Sequence, residues 1–189
     1  MAKFKKPLLF ELCLLPIAIV AGIFVGLYQL DIYSDEIIAE VVAQLGSTDL
    51  LVVISAVQTV GYALFCGFFG CILADKIGLW KPIKFEKKNL VITLAISLVG
   101  GIVFSLDHWT FGNIIDGIQE ATKVGLTTNS VIASILYGGI IEEVMLRLFF
   151  MSLIAFVVWK LFFKKYDKEN IPTGVFVIAN VVAAILFAA

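Results

Sequence analysis

From Leu50 to Ala74 the chain runs for twenty-five residues without a charged side chain, framed by Asp49 and Asp75. As a helix this run is about 37 Å long at 1.5 Å per residue, more than the roughly 30 Å of a bilayer's hydrocarbon core. Leu12 to Leu30 is equally uncharged, and its span is expected to begin near Leu8. Leu90 to Leu106 is a third run and ends at Asp107. A fourth extends from about Ser130 to Trp159, broken only by Glu142, Glu143 and Arg147, and a fifth starts at Ile171 and is still apolar at Ala189. The expectation is an all-α polytopic membrane protein: one transmembrane helical domain over 1–189, with five spans near 8–30, 50–74, 89–106, 130–159 and 171–189. Further helices are expected in a complete chain.

Composition agrees. Apolar residues make up 61% and charged residues 15%, against about 45–50% and about 25% in soluble domains. That excludes a water-soluble enzyme and a disordered tail. Fourteen Lys and Arg against fifteen Asp and Glu leave no basic excess for nucleic acid. The charges alternate by segment. Lys3, Lys5 and Lys6 lead the first span, and segment 31–49 carries Asp31, Asp35, Glu36, Glu40 and Asp49 without a lysine or arginine. Segment 75–88 carries five lysines, 107–129 only Lys123, and 160–170 four lysines. By the positive-inside rule the N-terminus is cytoplasmic and the protein is a multi-pass protein of the cell membrane. Lysine-rich, arginine-poor loops and small size suggest a bacterial source.

The first apolar run is too long for a cleavable signal peptide and lacks a small-residue cleavage site. Cys13, Cys66 and Cys71 lie in apolar stretches without a CxxC pair and read as small buried side chains. Gly22 and Gly26 form a GxxxG suited to close helix packing. Gln58 and Asn180, mid-span, are expected to hydrogen-bond to other helices. Segment 107–129, with Trp109, Phe111, Ile114, Ile115 and Ile118, has the spacing of an interfacial helix. No internal repeat is evident, which argues against a secondary transporter.

The charged residues of the fourth span are the informative ones. Glu142, Glu143 and Arg147 lie near its middle, where each costs of order 2.5–3.5 kcal/mol to insert. Glu143 and Arg147 are four residues apart, on one helix face and within ion-pair reach. Glu142 is turned about 100° away. Two adjacent carboxylates in a low dielectric do not both ionise readily. Pairing therefore leaves Glu143 charged and Glu142 free to exchange a proton, as a general base must. Gly138 and Gly139, one turn earlier, leave room for another backbone to approach. One arginine does not neutralise two glutamates, and no other acid or base is counted within the spans. A water-activating hydrolase and a proton or cation pathway both fit these residues.

The segment Gly138-Gly139-Ile140-Ile141-Glu142-Glu143-Val144-Met145-Leu146-Arg147, followed by Leu148-Phe149-Phe150-Met151-Ser152, resembles the EExxxR motif of the CAAX protease and bacteriocin-processing (abortive-infection) family of intramembrane proteases. Leu146 and Leu148 stand where that family often has Phe and Gly. Its second motif, FxxxH, is similar in its opening to Ala183-Ala184-Ile185-Leu186-Phe187, with the histidine expected at position 191. A third motif, a His followed four residues later by Asn or Asp, is expected further on. His108 matches no motif and is not assigned to catalysis.

The resemblance implies an intramembrane endopeptidase acting on bacterial peptides or membrane proteins. Glu142 would activate the attacking water, and Glu143 with Arg147 would be its supporting pair; these three form the expected catalytic set. Histidines would position water and stabilise the oxyanion, so the segment without them is expected to be C-terminally incomplete and inactive alone. Asn180 and Phe187, seven residues apart, are expected to turn toward the fourth helix. No cofactor is assigned, and a divalent metal, which the family leaves open, finds two carboxylates and no histidine ligand here. The expected partners are a peptide or membrane-protein substrate and the lipid bilayer. The alternative is a non-catalytic immunity or scaffold protein of the same fold.

Overall fold

A computed structural model describes residues 2–81, 86–106, 110 and 125–188. Among them every regular element is helical: α1 (Ala2–Ile32), α2 (Asp35–Leu45), α3 (Thr48–Lys76), α4 (Lys87–Ser105), α5 (Thr128–Phe162) and α6 (Thr173–Ala188). Lys5–Ile32, Thr48–Lys76 and Thr128–Phe162 are long and apolar enough to cross a membrane. Large apolar side chains such as Leu8, Leu12, Val57, Phe65 and Ile135 remain exposed on these helices, as a lipid-facing surface requires. The chain is an all-α membrane protein.

The residues form two compact units, Met1–Lys81 with Thr127–Ala189, and Pro82–Leu126. In the second, α4 covers most of the third expected span. His108 and the expected interfacial helix fall almost wholly outside the described residues.

In the first unit α3 and α5 run parallel to each other and antiparallel to α1. Phe10, Trp80, Lys76 and Phe156 meet at the lysine-bearing end. At the acidic end Asp31 accepts hydrogen bonds from Thr127 Oγ1 (2.8 Å) and Asn129 Nδ2 (3.1 Å), tying the end of α1 to the start of α5. Thr127 and Ser130 close a capping box there. Segment 31–49 is more than a connection: Ser34 caps α2 and Gly46, at φ 89°, ends it.

The main seam joins α1 to α3. Lipid tails are as apolar as leucine, so helices in a bilayer associate through close packing rather than exclusion of water. On α3, Ser55, Thr59, Ala63, Gly67 and Cys71 recur every fourth residue and are all buried. Gly22 and Gly26 answer them from α1: a Cβ on Gly22 would stand 2.5 Å from Ala56 Cα, and one on Gly26 2.7 Å from Val52 Cα. The GxxxG therefore packs the chain against itself. Gly70 does the same for α5, where Leu148 crosses it. Ser55 Oγ donates to Gln29 Oε1 across the seam at 3.2 Å, and Thr59 Oγ1 to its own helix at Ser55 O.

Several expectations are corrected. Gln58 is exposed and donates to Tyr62 on its own helix, one turn on. Asn180 is exposed as well. The face of α6 packed against α5 is Val175, Ala179 and Ala183, because these small side chains give the closest approach. Asn180 is about 100° off that ridge, and the side chain of Phe187 lies outside those described. Cys13 is exposed; Cys66 and Cys71 are buried as free thiols.

Gly22→Val should lower the melting temperature in lipid nanodiscs by an amount equivalent to about 1–3 kcal/mol, since the obstructing atoms are backbone. Gly61→Ala, which meets nothing within 4 Å, should leave it unchanged or slightly raised.

Candidate active site

The motif residues occupy the middle of α5, and the backbone around them is not α-helical. Two π-helical runs, Ser134–Ile141 and Val144–Met151, flank Glu142 and Glu143. The Glu142 N–H donates to Tyr137 O, five residues back. Such wide turns are rare, usually a single turn within an α-helix, and frequent at functional sites. Here they place Tyr137, one position further back than an α-turn would reach, beside Glu142. Gly138 and Gly139 lie in the first run, where they restrict the backbone least.

The expected pair forms. Arg147 Nε donates to Glu143 Oε2 at 2.7 Å. Both side chains lie on the open flank of α5, Arg147 61% and Glu143 47% exposed, so the pair is no buried lock between helices. Glu142 is half-buried and has no ion-pair partner among the described residues. One of its oxygens folds back over Gly138, where a Cβ would stand 3.6 Å away.

The two carboxylates serve different spaces. Glu142 lines a recess of about 450 Å³ with Tyr28, Gln29 and Tyr33 of α1 and Tyr137 and Gly138 of α5. Glu143 and Arg147 line another, of about 420 Å³, with Phe10, Trp80 and Ser152. Ser152 is 1% exposed, and its hydroxyl has no hydrogen-bond partner. Neither glycine of the Gly138-Gly139 pair is covered by another helix: Gly138 opens on the Glu142 recess and Gly139 on a smaller hollow beside Cys13 and Leu14.

Sequence reasoning missed Tyr137, Tyr28, Gln29 and Ser152, since ordinary helical spacing puts none of them beside the motif. It also passed over Glu11, an acid inside α1 that the count of charges within the spans left out. It lies inside the span expected from Leu8 and inside the apolar stretch of α1.

No three His, Cys, Asp or Glu side chains converge among the described residues. Glu143 is committed to Arg147, and Glu142 has a tyrosine and a glutamine beside its recess, neither a usual metal ligand. These residues by themselves do not make a metal site. Compared with known proteins, the chain matches no family model, no curated protein and no solved structure. The likeness to the CAAX protease and bacteriocin-processing family rests on its motif residues.

Glu143→Gln and Arg147→Met should each lower thermal stability in nanodiscs, because each strands one charge in the apolar zone. The double variant should be more stable than either single variant. A double variant no better than the worse single one would mean that the two side chains act independently.

Proposed function

We propose that this chain belongs to an intramembrane endopeptidase in which Glu142 is the general base. One observation carries the reading: of two adjacent carboxylates in one apolar helix, Glu143 is paired to Arg147 while Glu142 faces a recess without a cation. An acid used only to fasten helices would sit against a basic or donating partner. An acid that deprotonates water needs room beside it for the water and for the bond to be cut.

In this scheme a water in the Glu142 recess gives its proton to the Glu142 carboxylate as its oxygen attacks the scissile carbonyl. The proton then passes to the leaving amine. Tyr137, on the same recess, supplies an O–H that can meet the developing oxyanion. The Glu143–Arg147 pair sets the register of α5 and keeps the neighbouring charge balanced. The substrate is a peptide or a membrane-associated protein presented from the bilayer. The alternation of lysine-rich and acidic segments supports a multi-pass arrangement in a bacterial cell membrane with the N-terminus inside. In that orientation the Glu142 recess lies toward the outer half, with Asp31 and Thr127 beyond it.

In the full-length protein Glu142→Gln should abolish peptide cleavage while membrane insertion and the melting temperature persist. Tyr137→Phe should slow kcat by about 10²-fold, the usual cost of one oxyanion donor, with KM little changed. Undiminished cleavage by Glu142→Gln removes the assignment.

A further inference from the structure

Glu11 lies in the part of α1 that is apolar enough to cross a membrane. It is 7% exposed, and neither of its carboxyl oxygens has a hydrogen-bond partner among the described residues. The carboxyl stands against α3 where Gly67 lacks a side chain: a Cβ there would overlap Oε1 and come within 3.2 Å of Cδ. Leu14 borders the same notch; on α3 the buried Cys66 precedes Gly67, and the buried Cys71 follows it by four residues.

Among the described residues no cation shares the notch. Lys6 on α1 and Asp75 and Lys76 on α3 line a separate cavity of about 270 Å³ at the lysine-bearing end. From α5, Glu143 and Arg147 are paired to each other and border recesses on the Phe10 side of α1. An ionised carboxylate in the notch would bear its full desolvation cost with nothing to offset it. The neutral acid is the form these surroundings can hold. Cys71 connects the two places, since it stands one turn after Gly67 on the buried ladder of α3 and also lines the lysine-end cavity.

We propose that Glu11 is a proton-binding site, that it exchanges its proton with water by way of the Cys71 cavity, and that α1 stays seated against Gly67 only while the proton is bound. On release the proton passes to water in the cavity. The carboxylate, now an ion, leaves the notch past Cys71 toward Lys6 and Lys76, and the α1–α3 seam loosens around Cys66. This site is independent of the peptidase reading.

The test uses the intact chain in lipid vesicles and dicyclohexylcarbodiimide, a lipid-soluble reagent that adds protonated carboxyl groups across its C=N bond and rearranges to a stable N-acylurea. Peptide mass mapping should find the adduct on Glu11, with a yield that falls several-fold from mildly acidic to alkaline buffer. In parallel, alkylation of Cys66 by a membrane-permeant maleimide should rise with pH more steeply in the wild type than in Glu11→Gln. A carboxylate near a thiol disfavours the thiolate, so electrostatics alone would make the wild-type rise the shallower one and a steeper wild-type rise reports the seam. Absence of the adduct at every pH, or a pH-independent yield, overturns the proton site, and this measurement needs no variant. A wild-type rise at Cys66 no steeper than that of Glu11→Gln overturns the coupling to helix seating.

Discussion

The α1–α3 seam is the contact on which the rest of the first unit depends. In lipid an apolar helix gains little by trading tails for another helix, so attraction must come from backbones brought close enough for many short contacts. Glycine, alanine, serine, threonine and cysteine at every fourth position of α3 permit that approach, and Gly22 and Gly26 complete it from α1. With α1 held there, its acidic end reaches α5 through Asp31, which brings Tyr28, Gln29 and Tyr33 to the recess of Glu142. Its other end places Phe10 on the recess of Arg147. Both recesses are consequences of one packing event.

The widened turns of α5 then decide which groups share a recess. In an ordinary helix Glu142 would look back on Gly138 and Gly139 alone. Five-residue turns add Tyr137 to that side and give the carboxylate a hydroxyl neighbour. They leave the Glu143–Arg147 pair intact at four-residue spacing. One helix thus carries a neutralised charge and an unneutralised one without letting them compensate each other.

Much of this was legible in the sequence because hydropathy and charge spacing follow from the bilayer itself. The helix class, three of the spans and the Glu143–Arg147 pair come from run lengths and a four-residue interval. The four-residue ladder from Ser55 to Cys71 was legible too, but small residues carry little hydropathy signal and the ladder shows only when its partner helix is known. The π-helical runs were not legible, since they depend on which backbone partner each N–H selects rather than on residue type. The misplaced face of α6 has a similar origin: a polar Asn180 suggested an inward face, yet packing density favoured Val175, Ala179 and Ala183. Glu11 was legible by position, since the span expected from Leu8 contains it; the notch that Gly67 leaves for it was not, because that depends on how α1 and α3 pack.

The charges within these helices do not all have the same explanation. Each costs of order 3 kcal/mol at mid-bilayer, and a protein's whole net stability is about 5–15 kcal/mol. The ion pair accounts for Glu143 and Arg147, and nothing equivalent accounts for Glu11 or Glu142. Both remaining acids lie against a glycine, Gly67 for one and Gly138 for the other, so each has space that a side chain would have filled. They differ in what lies beyond that space: an open recess with hydroxyl and amide neighbours for Glu142, a buried notch bordered by Leu14 for Glu11. Packing supplies no reason for either acid, because an apolar side chain of the same reach would fill the same volume without the desolvation cost. What the structure gives the two carboxyls is different access: Glu142 faces an open recess, and Glu11 is turned against α3.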